Sequence, residues 1–247
     1  MLFKGKKSAG ESVVTAKEHV SLMARGLTLP PAAILCPVVP LAKMAVGKNY
    51  LLKNVGGIEI YVFPEEKFCM ATGFGCGGPA VAMATEILAA LGVKKIILTG
   101  LAGGLQEEVL PGDIVVCDGS FCADGTSACY TEKEMVKPSA SLFAQLVRTL
   151  REKKENFHIG YNWSADAIYR ETKTQIKHYQ KQRALTVEME TSAFYAVCAR
   201  LKISGAAVFV ISDSLHALKW QPDFKNAAIR QTWQRVFASV RDAINAK

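Results

Sequence analysis

Residues 206–211, Ala-Ala-Val-Phe-Val-Ile, form an unbroken apolar run that ends in Ser212-Asp213-Ser214. Apolar residues at every position, without alternation, mark a strand covered on both faces, which requires helices above and below a sheet. Lys67–Thr72 reads as a second strand and runs into Gly73-Phe74-Gly75-Cys76-Gly77-Gly78. Lys95–Thr99 reads as a third and opens into Gly100-Leu101-Ala102-Gly103-Gly104. Val55–Phe63, entered through Gly56-Gly57, and Asp113–Cys117 read as two more. Between them lie helical patterns. Pro79–Leu91 places Val81, Met83, Ala84, Ile87, Leu88 and Leu91 on one face, with Pro79 in the first turn and Gly92 past the end. Ser139–Lys153, Glu190–Leu201 and Asn226–Ile244 are helical as well, the last with Ile229, Trp233, Val236, Phe237, Val240 and Ile244 inward.

Strands alternating with helices predict an α/β fold: one domain over residues 1–247, with a central, largely parallel or mixed twisted sheet flanked by helices. Residues 1–30 are expected to form an irregular N-terminal arm. Open α/β sheets bind ligands at the C-terminal ends of their strands. Here those ends are Gly73–Gly78, Gly100–Gly104 and Ser212–Asp213, all glycine or small polar residues.

Composition narrows the function. Half of the 247 residues are hydrophobic and 21% are charged, which excludes a disordered chain. The net charge of +8 invites a nucleic-acid reading, but the basic residues are dispersed. Their densest group, Arg148–Lys154, falls on a helix as a solvated face, so no nucleic-acid partner is expected. The most apolar early stretch, Leu29–Ala42, is interrupted by Pro30, Pro31, Pro37 and Pro40, and residues 1–12 lack an apolar leader core. A cytoplasmic protein without a membrane partner is expected. The seven cysteines are odd in number and contain no CxxC pair, and the four histidines are isolated. Reduced, mostly buried thiols and no metal or organic cofactor follow.

Gly73–Gly78 satisfies GxGxxG between a strand and a helix. A dinucleotide site also needs an acid roughly 20 residues further on, and there the chain has Leu98-Thr99-Gly100-Leu101. Pro79 moreover removes a helix N–H that a pyrophosphate would use. The loop instead suits close approach of a small ligand to backbone, or a tight packing turn.

Three segments together resemble the nucleoside phosphorylase / nucleosidase superfamily. Thr72–Pro79 is similar to the TGxGGP turn of uridine phosphorylases. Gly92–Gly104 followed by Pro111-Gly112-Asp113-Ile114-Val115-Val116 is the second, and Val187-Glu188-Met189-Glu190-Thr191-Ser192-Ala193 followed by Val210–Ser214 is the third. Asp124-Gly125-Thr126-Ser127 and Ala165–Glu171 add to the likeness. The resemblance implies cleavage of an N-glycosidic bond, which builds positive charge on the ribose and negative charge on the leaving base. It casts Glu190 as the acceptor for ribose hydroxyls, with Met189 under the sugar and Glu188 beside it. Asp213 becomes the group that protonates or hydrogen-bonds a purine nitrogen. Ser212, Thr99, Gly100, Gly75, Gly77, Gly78, Tyr169 and Arg170 are the further substrate-binding candidates. It also implies a homo-oligomer, a dimer or trimer of dimers, with His19 a candidate contribution to a neighbouring site.

The departures bear on the nucleophile. Phosphorylases hold phosphate, their co-substrate, with arginines. Here Leu98 and Ala42 stand in their places, Leu101 replaces a Ser or Thr, and Lys43 is the nearest cation. Without guanidinium contacts a phosphate loses bonds worth about 1.5–3 kcal/mol each, which argues against ordinary phosphorolysis. Nucleosidases use water activated by an acidic residue, and residues 34–43 contain none. Three readings stay open: a purine-leaning nucleoside phosphorylase with phosphate held by other groups, a nucleosidase, and a non-catalytic nucleoside-binding protein.

Overall fold

The computed structural model describes residues 10–246. The first half of the chain carries α1 (Ala16–Met23), β1 (Ala32–Leu35), α2 (Val39–Ala45), β2 (Leu51–Val55), β3 (Ile58–Phe63), β4 (Phe68–Thr72), α3 (Gly78–Ala90), β5 (Lys95–Gly104) and β6 (Ile114–Ala123). The second half carries β7 (Met135–Val136), α4 (Ala140–Glu152), β8 (His158–Ala165), α5 (Lys173–Lys181), β9 (Ala184–Glu188), α6 (Thr191–Leu201), β10 (Ser204–Ser214), β11 (Gln221–Pro222) and α7 (Ala227–Asn245).

The expected mixed α/β sheet flanked by helices is what forms. Its spine is the parallel pair β5 and β10, bonded from Ser204 beside Lys95 to Ser214 beside Gly104. On the other edge of β5, residues 95–98 bond to β1, which leads through β4 and β3 to β2. Gly103 and Gly104 bond instead to β9, and β9 leads through β8 and β6 back to β10. The sheet is therefore an open wing, β1-β4-β3-β2, fused to a closed ring, β5-β10-β6-β8-β9. β1, β4, β5 and β10 run one way, and β6, β8 and β9 the other.

This fusion explains a difference from the sequence reading. Gly100–Gly104 is not a turn after β5 but its continuation into the ring. The glycines serve close approach. A Cβ on Gly103 would lie 2.5 Å from Leu215 Cδ1 and 3.3 Å from Asp213 Oδ2, and one on Gly104 would lie 2.6 Å from the Val109 carbonyl oxygen. Gly104→Ala should cost about 1–3 kcal/mol, because backbone rather than a flexible side chain must move. Urea denaturation measures it; an unchanged midpoint would show that the Val109 segment yields freely.

Val55–Phe63 likewise proves to be two strands. β2 and β3 form a hairpin whose two-residue turn is Gly56-Gly57, with φ of 59° and 86°, the positive values that two-residue hairpin turns demand. The expected irregular arm contains α1, held by a capping box in which Thr15 and Glu18 bond reciprocally. Met83 leaves the expected buried face of α3 and is 45% exposed.

Helices α1, α3 and α6 cover one apolar layer, around Leu88, Phe194 and Phe209. Helices α2, α4 and α7 cover the other, where all six inward residues expected of α7 are buried. A third cluster, Leu105, Trp163, Ile176 and Leu215, packs around the ring, with Trp163 stacked on Tyr179 of α5. Arg148, Arg151, Lys153 and Lys154 are exposed, and Lys153 pairs with Asp242. Among the described residues, no helix is long and apolar enough to cross a membrane.

Candidate active site

The glycine turn after β4 and the start of α6 meet. Gly73, Gly75 and Gly77 all have positive φ, of 75°, 91° and 88°, which bends the chain so that the Gly77 N–H donates to Glu190 Oε1. Met189 Cε would lie 3.9 Å from a Cβ on Gly77. A Cβ on Gly78 would lie 2.8 Å from Thr126 Oγ1, so a larger residue there would force Thr126 to shift. Gly77, Met189 and Glu190 are thus brought together, with Gly78 against Thr126.

Glu188 occupies a different environment from Glu190. It is 7% exposed and its carboxylate accepts from Asn162 Nδ2 and Ser164 Oγ, each at 2.6 Å, from the Glu190 N–H at 2.8 Å and from the Thr191 N–H at 2.9 Å. Asn162 also donates to Ser120 and accepts from Thr186. Glu188 is fastened into the polar interior of the ring, with no lone pair plainly left for a sugar. Its place is beneath the site, holding the first turn of α6. Burial pushes its carboxyl up, against hydrogen bonds from Ser164, Glu190, Asn162 and Thr191 that pull it down. Burial first, then the Glu188 charge, raises Glu190 to about 8. Of the two, Glu190 is the readier to hold a proton, because fewer donors stabilise its anion.

At the other end, Asp213 lies on β10 beside Gly103, whose opposite neighbour is Val187 of β9. One glycine therefore ties the strand that bears Asp213 to the strand that leads into Glu188, Met189 and Glu190. Asp213 Oδ1 accepts from Ser212 Oγ at 2.6 Å, and Oδ2 accepts from Trp220 Nε1 at 2.9 Å. Trp220 arrives on a short strap that returns through β11 to pair with Asp213 and Ser214. Sequence reasoning missed Glu171. It is half-buried, and burial first, then the Asp213 charge, raises it to about 7. No local pattern signals this, because its partner comes from another strand.

The remaining candidates divide. Thr99 and Gly100 lie on β5, and Thr99 Oγ1 is buried without a hydrogen-bond partner among the described residues. Tyr169, 95% exposed, and Arg170, also exposed, lie on a single 3-10 turn. Leu98 and Ala42 are fully buried in the two apolar layers. Lys43 is engaged by Glu59 at 3.3 Å, and Tyr61 also donates to Glu59. The Tyr61 hydroxyl, and then Lys43, hold that carboxyl below its usual range. His19 lies exposed on α1 against Met23 Sδ.

Four cysteines are buried, and burial pushes Cys36, Cys69 and Cys117 up to about 12, so these are inert packing thiols. Cys76 and Cys129 are exposed, an exception to the expected burial. Among the described residues no group of His, Cys, Asp and Glu is placed to hold a metal.

Residues 40–244 match the phosphorylase superfamily. The chain belongs to that superfamily. A purine nucleoside phosphorylase of the DeoD type from Clostridium perfringens is 30% identical over 191 residues, 74% of this chain and 81% of that protein. A guanosine phosphorylase from Halorubrum lacusprofundi is 30% identical over 148 residues, 60% of this chain and 61% of that protein, so the match spans less than two thirds of that relative. The uridine phosphorylase of Vibrio fischeri superposes with a TM-score of 0.78 at 18% identity, over 95% of this chain and 99% of that one. The futalosine hydrolase of Helicobacter pylori superposes with a TM-score of 0.69 at 19% identity, over 85% and 97%. The same fold is thus shared with a protein named a uridine phosphorylase and one named a futalosine hydrolase.

Proposed function

We propose that this superfamily member cleaves the N-glycosidic bond of a nucleoside, with a preference for purines. The observation that carries the reading is a buried carboxyl at the glycine turn, Glu190, just past β9, and an acid on β10, Asp213, with β9 and β10 both bonded to Gly103. Glu190 accepts the ribose hydroxyls, and as it ionises it favours the positive charge that grows on the sugar. Met189 packs under the ribose. Asp213 serves the base end.

Water is the nucleophile this lining favours. The two positions where an arginine would hold phosphate are Leu98 and Ala42, both fully buried in apolar layers, and Lys43 is spent on Glu59. Phosphorolysis is the second reading, favoured by the purine nucleoside and guanosine phosphorylases among the relatives. A homo-oligomer whose neighbouring subunits complete the site, a cytoplasmic location and the absence of nucleic-acid or membrane partners belong to the same proposal.

The test is release of free base from a panel of purine and pyrimidine nucleosides, with and without phosphate. Release of purines independent of phosphate is the expected result. Strict phosphate dependence selects the second reading. Thermal stabilisation by nucleosides without any release would reduce the protein to a nucleoside binder and overturn the enzymatic proposal.

A further inference from the structure

The segment Asp124-Gly125-Thr126-Ser127 leaves the end of β6 and enters the 3-10 turn Ser127–Cys129. Asp124 is 6% exposed, and both of its carboxylate oxygens are engaged. Oδ1 accepts from the Ser127 N–H at 2.7 Å, and Oδ2 accepts from the Ser192 hydroxyl. Oδ1 also lies against the start of α3, 3.1 Å from where a Cβ on Gly78 would be. What Asp124 touches is therefore protein framework.

That framework is the two halves of the Glu190 clamp. Ser192 is two residues past Glu190, in the first turn of α6, and Gly78 is one residue past Gly77, at the start of α3. The Gly77 N–H donates to Glu190 Oε1, and that bond joins the halves. Neither Gly77 nor Glu190, the N-cap residues of the two helices, makes a side-chain cap bond. The first turn of α6 is held from the ring, where Glu188 accepts from the Glu190 and Thr191 N–H groups and Ser164 Oγ from the Ser192 N–H at 2.9 Å. The segment that begins at Asp124 reaches α3 twice, through Gly78 and through Tyr130, whose hydroxyl donates to Glu86 at 3.1 Å. It is anchored in turn to the end of β8, because the Gly125 N–H donates to Asp166 Oδ2 at 2.7 Å.

We infer that Asp124 is a positioning residue for Glu190. By bonding Ser192 and bracing Gly78, it sets the separation of α6 and the glycine turn at which the Glu190 carboxyl meets the Gly77 N–H. This rests on the reading of Glu190 as the group that holds the ribose. Asp124 touches no substrate and acts only through the place it gives Glu190.

The test is a double-mutant cycle on base release, with kcat and KM measured for wild type, Asp124→Ala, Glu190→Ala and the double variant on a purine nucleoside from the panel above. Asp124→Ala should lower kcat/KM about 10²-fold, the cost of a misplacement of about 1 Å. In the Glu190→Ala background the same change should cost less than about threefold, because the group it positions is gone. Asp124→Asn should recover to within about fivefold of wild type, since its amide oxygen still accepts from Ser127 and its amide nitrogen can donate to Ser192 Oγ. If Asp124→Ala does not fold, Ser192→Ala takes its place in the cycle and should cost about tenfold, with the same dependence on Glu190. Equal losses in the two backgrounds, or no recovery in Asp124→Asn, would overturn the positioning role while leaving the glycosidase reading intact. Glu190→Ala as active as wild type, or no release of base by the wild type, would overturn both.

Discussion

Glu188→Ala is expected to destabilise the protein by about 3–5 kcal/mol, the upper range for a single substitution. The change removes one acceptor group and strands the donors of Asn162, Ser164, Glu190 and Thr191 in a site with almost no water. Each buried donor left unpaired costs on the order of 1–3 kcal/mol before relaxation, and rearrangement of Asn162 toward Ser120 recovers part of that. For a chain of this size the melting temperature should fall by roughly 10 °C. Urea denaturation is the direct measurement. A loss below about 1 kcal/mol would mean that Glu188 is not the keystone of the ring interior and is free to bind substrate after all.

Glu190→Gln is expected to reduce kcat/KM by about 10²–10³-fold, the size of effect seen when one fixed group that answers transition-state charge is lost. The amide still accepts from Gly77 and still fits the cavity, but cannot become an anion under the sugar. The same substitution should change how stability depends on pH. Glu190 is raised to about 8 in the folded protein, so its contribution is fully present below its unfolded value near 4.5 and is lost as pH rises through 8. Wild type should therefore weaken between about pH 4.5 and pH 8 more steeply than Glu190→Gln, and run parallel to it above that window. Parallel stability curves across that window would refute the assignment of the proton to Glu190. In the activity profile, the acidic limb should vanish in this variant, because the requirement for an ionised Glu190 is gone.

Much of the architecture is legible in the residues. The run at 206–211 and the glycines after Thr72 mark real strands and a real turn, because burial on both faces and positive φ are demands that few residue types meet. Gly100–Gly104 misleads for the same reason: glycine reads as a turn, whereas here it admits the Val109 carbonyl and the Leu215 side chain, which come from later in the chain. β8 is hidden because its buried Asn162 and Ser164 look like loop residues until Glu188 is found opposite them. The site shows the same division. Glu190 and Met189 are readable from one short segment. The structural duty of Glu188 and the company of Glu171 are not, since each is decided by a partner on another strand.

The strap that carries Trp220 and the spine that carries Gly103 differ in how much holds them. β10 is bonded along its length to β5, whereas β11 contributes two residues. The sugar and base ends are consequently mounted on one cooperative unit, and the span between them is fixed before any ligand arrives. Divergence in what the protein accepts then has only one place to occur. Residues 168–170 and the strap through Trp220 and Phe224 can be rebuilt at little cost to folding, while the separation of the two acids is inherited unchanged.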